Sequence, residues 1–304
     1  MRFITHAAQP ANMLLTLRHA RILCTETWPM ITSPANAKLK LIKSLHKRRQ
    51  REKQGLLLVE GHRLVLDALD AGITPQYVVV HDGALAQNDL EAALRKLGPE
   101  RVLRAPESLV NEISDTETPQ GVLAVLPHAP RPLPEKPSLV LVCDEVRDPG
   151  NLGTLLRSAA GAGVGACLLT PGCCDPWGLK ALRAGMGAQW RLPTHQLDGW
   201  DDVSMCLRGW NCRTFAADAG GTLNHYDVDW RGASALVVGS EAHGLSDAVR
   251  NDPSVSLCGI PMGIDGSDGV ESLNAAVAGS VILFEAQRQR LVAAGVVNAV
   301  GRAQ

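Results

Sequence analysis

The sequence has few cysteines, no long apolar run and almost no net charge, and each shortage excludes a class of protein. Eight cysteines in 304 residues, with no C-x-x-C spacing, are too sparse for a disulfide scaffold and favour a reducing compartment. The chain has no apolar run of about 18 residues, which argues against a membrane span. Because 30 Lys+Arg balance 31 Asp+Glu, bulk charge does not predict a nucleic-acid binder, and any such surface must be local.

A proline-rich segment at residues 128–137 divides the chain into two predicted domains. Five prolines lie between residues 127 and 137, a density that continues neither a helix nor a central strand. Residues 33–127 are predicted to form a small α/β domain. In residues 138–304, short apolar strands alternate with helices, which predicts a parallel sheet covered on both faces.

The first 32 residues differ in composition from the rest of the chain. They carry Arg2, Arg18 and Arg21 against a single acid, Glu26. Acid-poor, arginine-bearing N-termini are typical of organellar transit peptides. We therefore expect an organellar compartment, chloroplast or mitochondrion. The alternative is a disordered start on a cytoplasmic protein.

Positive charge is concentrated in residues 36–53, which hold eight Lys/Arg and one acid, Glu52. Leu39, Ile42 and Leu45 recur at helical spacing, which predicts a helix with cations around one apolar stripe. Such an element attracts phosphates because binding releases their counterions, although charge runs are usually solvated helix faces. The candidate RNA-binding residues are Lys38, Lys40, Lys43, Lys47, Arg48, Arg49, Arg51 and Lys53.

Three loops of the second domain carry polar residues directly after predicted strands, at 139–143, 235–238 and 256–260. The first loop holds Asn151 and Arg157, the second Gly239 and Glu241, and the third Met262, Ser272, Leu273 and Asn274. Each loop alone has an ordinary structural explanation, such as a turn or a helix cap. Ligands bind beyond the carboxyl ends of parallel strands, so the three together predict one shared cleft.

In order and placement, these loops resemble the signature motifs of the SpoU (TrmH-type) RNA ribose 2′-O-methyltransferases, over residues 138–291. Residues 33–126 are similar to the family's RNA-binding domain, most clearly at Val59-Glu60-Gly61. The likeness is closer to the rRNA-modifying members than to those that act on tRNA. It implies a SPOUT domain with a C-terminal trefoil knot, joined to an α/β RNA-binding domain of L30e/L7Ae-like fold. It also implies a homodimer with the active site at the subunit interface.

The resemblance implies S-adenosylmethionine as the cofactor, bound by Gly239, Ile260, Met262 and Leu273. It implies that the catalytic residues are Asn151, Arg157, Glu241, Ser272 and Asn274. Arginine is a poor base because its pKa lies above about 12. We therefore favour Arg157 as the group that binds a phosphate and stabilises the developing alkoxide. Activation of the hydroxyl by Arg157 as a base is the alternative.

One loop, at residues 263–271, is longer than is usual in this family. Its acids Asp265, Asp268 and Glu271 are interpreted as solvated loop residues rather than a cation site, so no metal is predicted. The glycines of 161–165 follow a helix and precede a strand, which is the reverse of a dinucleotide fingerprint. The sequence therefore predicts an enzyme that methylates a ribose 2′-OH, with rRNA as the expected substrate. The alternative is a non-catalytic RNA-binding ribosome-assembly factor with the same fold.

Overall fold

The computed structural model describes residues 28–262 and 272–296, which form two sheets with their covering helices. The predictions for residues 1–27, and for the acids of the 263–271 loop, lie outside the described residues. In the N-terminal sheet the strands are β1 (Leu56–Glu60), β2 (Tyr77–Val80), β3 (Val102–Arg104) and β4 (Val122–Pro127). Their order is β1-β4-β2-β3. β4 runs antiparallel to β1 and β2, and β3 is parallel to β2, so β1, β2 and β3 all end at the same edge.

Helices cover both faces of this sheet, which explains why its strands are apolar on both sides. They are α1 (Ala37–Leu45), α2 (Arg48–Gln54), α3 (His62–Asp70), α4 (Asn88–Arg95) and α5 (Glu107–Glu112). Single 3₁₀ turns lie at Ala84–Ala86 and Pro99–Arg101.

The single helix predicted over the basic segment is wrong, because two helices form there. Leu39, Ile42 and Leu45 are buried as predicted. Beyond them, residues 48–54 contain no apolar side chain to continue the stripe. The helical conformation is interrupted at Lys47, whose backbone is extended (φ −88°, ψ 125°). A second helix begins at Arg48.

The second sheet has seven strands, all parallel, as the alternating pattern predicted. The strands are β5 (Leu139–Cys143), β6 (Ala166–Leu169), β7 (Thr194–Gln196), β8 (Arg213–Ala217), β9 (Leu223–Asn224), β10 (Ser234–Val238) and β11 (Val255–Gly259). Their order is β7-β6-β5-β10-β8-β11-β9. The trefoil knot stays a prediction.

The helices of this domain are α6 (Pro149–Gly161), α7 (Leu179–Gly185), α8 (Trp200–Gly209), α9 (Asp247–Arg250) and α10 (Ala275–Ala293), with a 3₁₀ turn at Ala188–Trp190. Within the described ranges, no helix is long and apolar enough to cross a membrane. Helices α8 and α9 and the short strands β3, β7 and β9 were not predicted. Those strands have three residues or fewer, too few for a period of two to be recognisable.

The two domains share a buried surface, although the proline-rich segment separates them along the chain. Trp177, Leu182 and Trp190 of the second domain pack into the core of the first. The proline-rich segment is itself attached to the second domain, since Arg131 Nε donates to the Trp190 carbonyl at 2.7 Å. The rings of Trp177 and Trp190 therefore join the two domains.

Candidate active site

A cleft of about 560 Å³ opens where β8, β10 and β11 end, within the size of ordinary small-molecule sites. The three strands are neighbours in the order β10-β8-β11, so their carboxyl ends meet at one edge. Ala217, Val238 and Cys258 close the base of the cleft, and Ala278 and Ile282 of α10 form an apolar wall.

Asn274 connects the three predicted loops. Its Nδ2 donates to Asn151 Oδ1 at 3.2 Å and to the Glu241 carboxylate. Its Oδ1 accepts hydrogen bonds from the backbone N–H of Ala276 (2.9 Å) and Val277 (3.1 Å), and so caps α10. Because an amide has a donor end and an acceptor end, the cap fixes the direction in which Nδ2 points. The loops therefore converge through one side chain.

Asn151 is placed by the start of α6. Asp148 is the N-cap residue, and its Oδ1 accepts a hydrogen bond from the Asn151 N–H at 2.8 Å. This hydrogen bond is the main reason that the pKa of Asp148 lies below its ordinary value. Pro149 occupies the first helical position, where no N–H is needed. Gly153 then lets α6 approach α7, since a Cβ there would lie 2.5 Å from the Ala181 carbonyl oxygen.

Glu241 lies at the tip of a tight turn after β10. Ser240 N–H donates to the Gly244 carbonyl at 2.8 Å, and Gly244 N–H donates back to Ser240 at 2.9 Å. A Cβ on Gly239 would overlap the Gly244 backbone, so this turn requires glycine at 239. The turn holds the Glu241 carboxylate against Asn274.

The four predicted cofactor-binding residues, Gly239, Ile260, Met262 and Leu273, all line the cleft, and so does Ser272. The cleft offers backbone groups at glycines and apolar side chains for a flat ring. Residues of this kind fit the adenosyl part of S-adenosylmethionine. Within the described lining, Arg250 is the only permanent cation, and it forms an ion pair with Asp218 at 2.6 Å.

Sequence reasoning missed Asp144, whose carboxylate forms hydrogen bonds with residues of two other loops. Although only 1% exposed, Asp144 accepts hydrogen bonds from Thr170 Oγ1 at 3.0 Å and from the Ser246 N–H at 2.7 Å. It thereby joins the ends of β5 and β6 to the loop after β10. The signal was an acid directly after a fully apolar strand, where burial requires hydrogen-bond partners.

The structure does not bring Arg157 into this cleft. Arg157 lies six residues after Asn151 on α6, about 120° around the helix. Its side chain is exposed, and it makes no hydrogen bond or ion pair to the part of the chain that the structure describes. Thr154, Arg157 and Gly161 share one exposed face of α6, and Phe284 of α10 lies beside Gly161.

Most of the predicted RNA-binding cations are exposed, but the prediction is wrong for one of them. Arg51 does not belong to the basic surface, because its guanidinium is buried in an ion pair with Asp175 and donates to two backbone carbonyls. Lys38 is half-buried and lies 5.1 Å from the Tyr77 ring centroid. The remaining six are exposed: Lys40, Lys43, Lys47, Arg48, Arg49 and Lys53. Lys43 and Arg48 form ion pairs with Glu112 and Glu52.

Comparisons with known proteins agree with this architecture. The SpoU rRNA Methylase family matches residues 138–284, and the MRM3-like substrate binding domain matches residues 36–124. The mouse protein "rRNA methyltransferase 3, mitochondrial" is 34% identical, over 84% of this chain and 73% of its own. "23S rRNA (guanosine(2553)-2'-O)-methyltransferase RlmP" of Bacillus subtilis is 29% identical, over 84% and 97%.

A solved structure is also similar, that of an AdoMet-bound rRNA methyltransferase from Sinorhizobium meliloti. Its TM-score is 0.72 at 28% identity, covering 86% of this chain and 98% of that one. The parallel sheet, the three-loop cleft and this similarity define a SPOUT-class methyltransferase with an added substrate-binding domain. Within that class, the chain belongs to the SpoU rRNA methylase family.

Proposed function

We propose that this protein transfers a methyl group from S-adenosylmethionine to a ribose 2′-OH of rRNA. The observation that carries the proposal is the convergence of Asn151, Glu241 and Asn274 beside a cleft lined by the predicted cofactor-binding residues. The relatives named above support the reaction and the substrate class. An intact polar cluster favours an enzyme over a non-catalytic assembly factor.

In this proposal the cofactor supplies an electrophilic methyl group, and the protein positions the ribose. Asn274, held by its cap, keeps Asn151 and Glu241 at fixed places around the acceptor hydroxyl. Ser272 lies on the same rim and offers a further hydroxyl to the substrate. Positioning of this kind supplies much of the rate of a direct displacement. As the 2′-oxygen takes the methyl group, the bond from that group to the sulfonium sulfur would break and the hydroxyl proton would pass to solvent water, while Arg157 stabilises the negative charge that develops on the oxygen.

Arg157 would act in the cleft of a second subunit. The exposed face of α10 carries Val277 (47% exposed), Val281 (37%) and Phe284 (48%) at helical spacing. A helix face of this kind is suited to a two-fold contact between copies of the chain. Arg157 belongs to the α6 face beside it, so a homodimer would carry Arg157 towards the partner subunit's cleft.

A complementation experiment tests the shared site. Arg157→Ala and Asn274→Ala should each lose nearly all activity alone. Mixed heterodimers contain one intact site, so an equal mixture should recover about a quarter of wild-type activity. No recovery in mixtures shown to exchange subunits would place Arg157 and Asn274 in the same subunit's site.

Residues 33–127 are proposed as the RNA-binding domain and residues 138–304 as the methyltransferase domain. The exposed cations of α1 and α2 and the substrate-binding-domain match support this division. An organellar compartment is supported by the mitochondrial name of the mouse relative, and the bacterial relative supports the cytoplasmic alternative. Fusing residues 1–32 to a fluorescent protein would distinguish the two compartments, because the location of the fluorescence in the cell shows where these residues direct the fusion.

The reaction itself is tested by mapping 2′-O-methyl positions in total RNA from cells with the wild-type chain, without it, and with Asn274→Ala. We expect one rRNA position to be methylated only with the wild type. Calorimetry with S-adenosylmethionine distinguishes the enzyme from the alternative, since a non-catalytic assembly factor should bind the cofactor weakly or not at all. Cofactor binding without any lost methyl position would refute the proposed substrate.

A further inference from the structure

The N-terminal domain has a cavity of its own, of about 470 Å³, separate from the methyl-transfer cleft. It lies at the edge where β1, β2 and β3 all end, the position at which parallel strands present ligands. Its polar lining comes from the segments that follow these strands or precede β4: His62, Arg63, His81, Gln87, Glu107 and Gln120. The proposed basic surface of α1 and α2 contributes none of these residues.

The backbone around this cavity is shaped to hold two polar side chains, those of His81 and Gln120. A Cβ on Gly121 would overlap the His81 ring, and one on Gly83 would lie 2.7 Å from His81 Cε1. A Cβ on Gly61 would lie 2.8 Å from Gln120 Oε1. Gly61 (φ 103°) and Gly121 (φ 78°) also have backbone angles that other residues rarely adopt.

These side chains keep hydrogen-bonding groups available for a ligand. Gln120 Oε1 accepts a hydrogen bond from the His62 N–H at 2.9 Å, which orients its amide. Among the described residues, nothing bonds to Gln120 Nε2 or to either ring nitrogen of His81. The loop that carries Gln120 is fixed further back, since the buried Glu60 carboxylate accepts hydrogen bonds from Thr116 Oγ1 at 2.7 Å and Asp115 N–H at 3.1 Å.

The charges of the cavity indicate what kind of ligand it would take. Within the described lining Arg63 is the only Lys or Arg, and its Nε lies 3.7 Å from the Asp67 carboxylate. Glu107 adds an acid to the lining, so the cavity lacks the excess of cations that a phosphate site requires. The hydrogen-bonding groups of an amide and an imidazole in a recess suit the edge of an unpaired base, which is how proteins read single-stranded RNA. We propose that this cavity binds one unpaired RNA base, with His81 and Gln120 reading its edge and Arg63 near the adjoining phosphate.

This inference rests on the proposed function, and its test is chosen so that the two can fail separately. The full-length protein is titrated with short RNA homopolymers of each of the four bases, at several salt concentrations. His81→Phe keeps a flat ring without nitrogens, and Gln120→Glu keeps the acceptor for His62 while removing the amide donor. Gln76→Ala, an exposed glutamine preceding β2, is the matched control.

We expect the wild type to prefer one base, and each cavity variant to lose about tenfold affinity for it, which is the scale of one good base contact. The salt dependence of His81→Phe should stay unchanged, because this variant removes no phosphate contact and adds no charge. Wild-type preference in the variants would overturn the base site, and so would a loss in His81→Phe that lowers the salt slope. Failure of the wild type to bind any RNA, with S-adenosylmethionine binding intact, would instead refute the proposed function.

Discussion

Arg51 of α2 forms a buried ion pair with Asp175, 124 residues further along the chain and in the other domain. Their side chains are only 7% and 18% exposed. Arg51 also donates to the carbonyls of Leu45 at 2.8 Å and His46 at 2.9 Å, which fixes the break between α1 and α2. Arg51 thus contributes both to the shape of the basic surface and to its position on the methyltransferase domain.

Replacing Arg51 with methionine should lower the free energy of unfolding by about 3–5 kcal/mol, because Asp175 would be left half-buried without its partner. Urea denaturation measures this loss. Arg49→Met is the control, since Arg49 is exposed on the same helix and should change stability by less than about 0.5 kcal/mol. Equal stability of the two variants would mean that the ion pair does not stabilise the domain contact.

The Asn274→Ser variant should distinguish the role of Asn274 as the N-cap of α10 from its role in positioning Asn151 and Glu241. Serine is also a good N-cap, so stability should stay within about 0.5 kcal/mol of wild type. It has no amide to reach Asn151 and Glu241, and turnover should fall about 100-fold through lost positioning. Single-turnover methyl transfer to an rRNA transcript measures the rate. Asn274→Ala should show the same loss of rate together with about 1 kcal/mol of lost stability. A serine variant with wild-type turnover would contradict the assignment.

Gly153→Ala should destabilise the methyltransferase domain by about 1–3 kcal/mol, because the added methyl group would overpack the α6–α7 contact. Thermal unfolding checks the effect. Gly209→Ala, at the end of α8, is the matched control, since no atom lies within 4 Å of the added Cβ. That variant should be neutral or slightly more stable, as alanine is the better helix former. A fully stable Gly153→Ala would show that α6 and α7 can separate without cost.

Neutralising Lys47, Arg49 and Lys53 to glutamine should weaken RNA binding and reduce its salt slope by about 2–3, if each contacts one phosphate. Affinity for S-adenosylmethionine should not change. Filter binding across a salt series and calorimetry measure the two effects. Arg191→Gln, an exposed cation of the second domain, serves as the control. An unchanged salt slope in the triple variant would remove α1 and α2 from the RNA-binding surface.

The proposal that residues 33–127 bind RNA and residues 138–304 transfer the methyl group is best tested with point variants. Deleting residues 33–127 would not test it. The structure buries Trp177 and Trp190 against the first domain, leaving them 8% and 5% exposed. Removing that domain would expose both rings and Leu182 to water. Loss of cofactor binding after deletion would then reflect misfolding as readily as a shared binding site.

The spacing of apolar residues along the chain predicted the structural features that depend on neighbouring residues alone. The stripe of Leu39, Ile42 and Leu45 identified the buried face of α1, because burial on a helix repeats with its turn. The same pattern did not reveal the break at Lys47, since the stabilising partner of Arg51 is a distant residue. Asp144 was missed for the same reason, because its partners Thr170 and Ser246 come from other loops.

The amino-acid sequence alone determined the two-domain α/β organisation, the family resemblance and the residues expected at the strand ends, because these follow from periodicity and motif order along the chain. Only the tertiary structure decided that Asn274 meets Asn151 and Glu241, and that Arg157 faces away from their cleft. The physical reason is strand order: β5, β10, β8 and β11 lie side by side in the sheet although they are not consecutive in sequence. Long-range pairing places their ends together, and no local pattern encodes it.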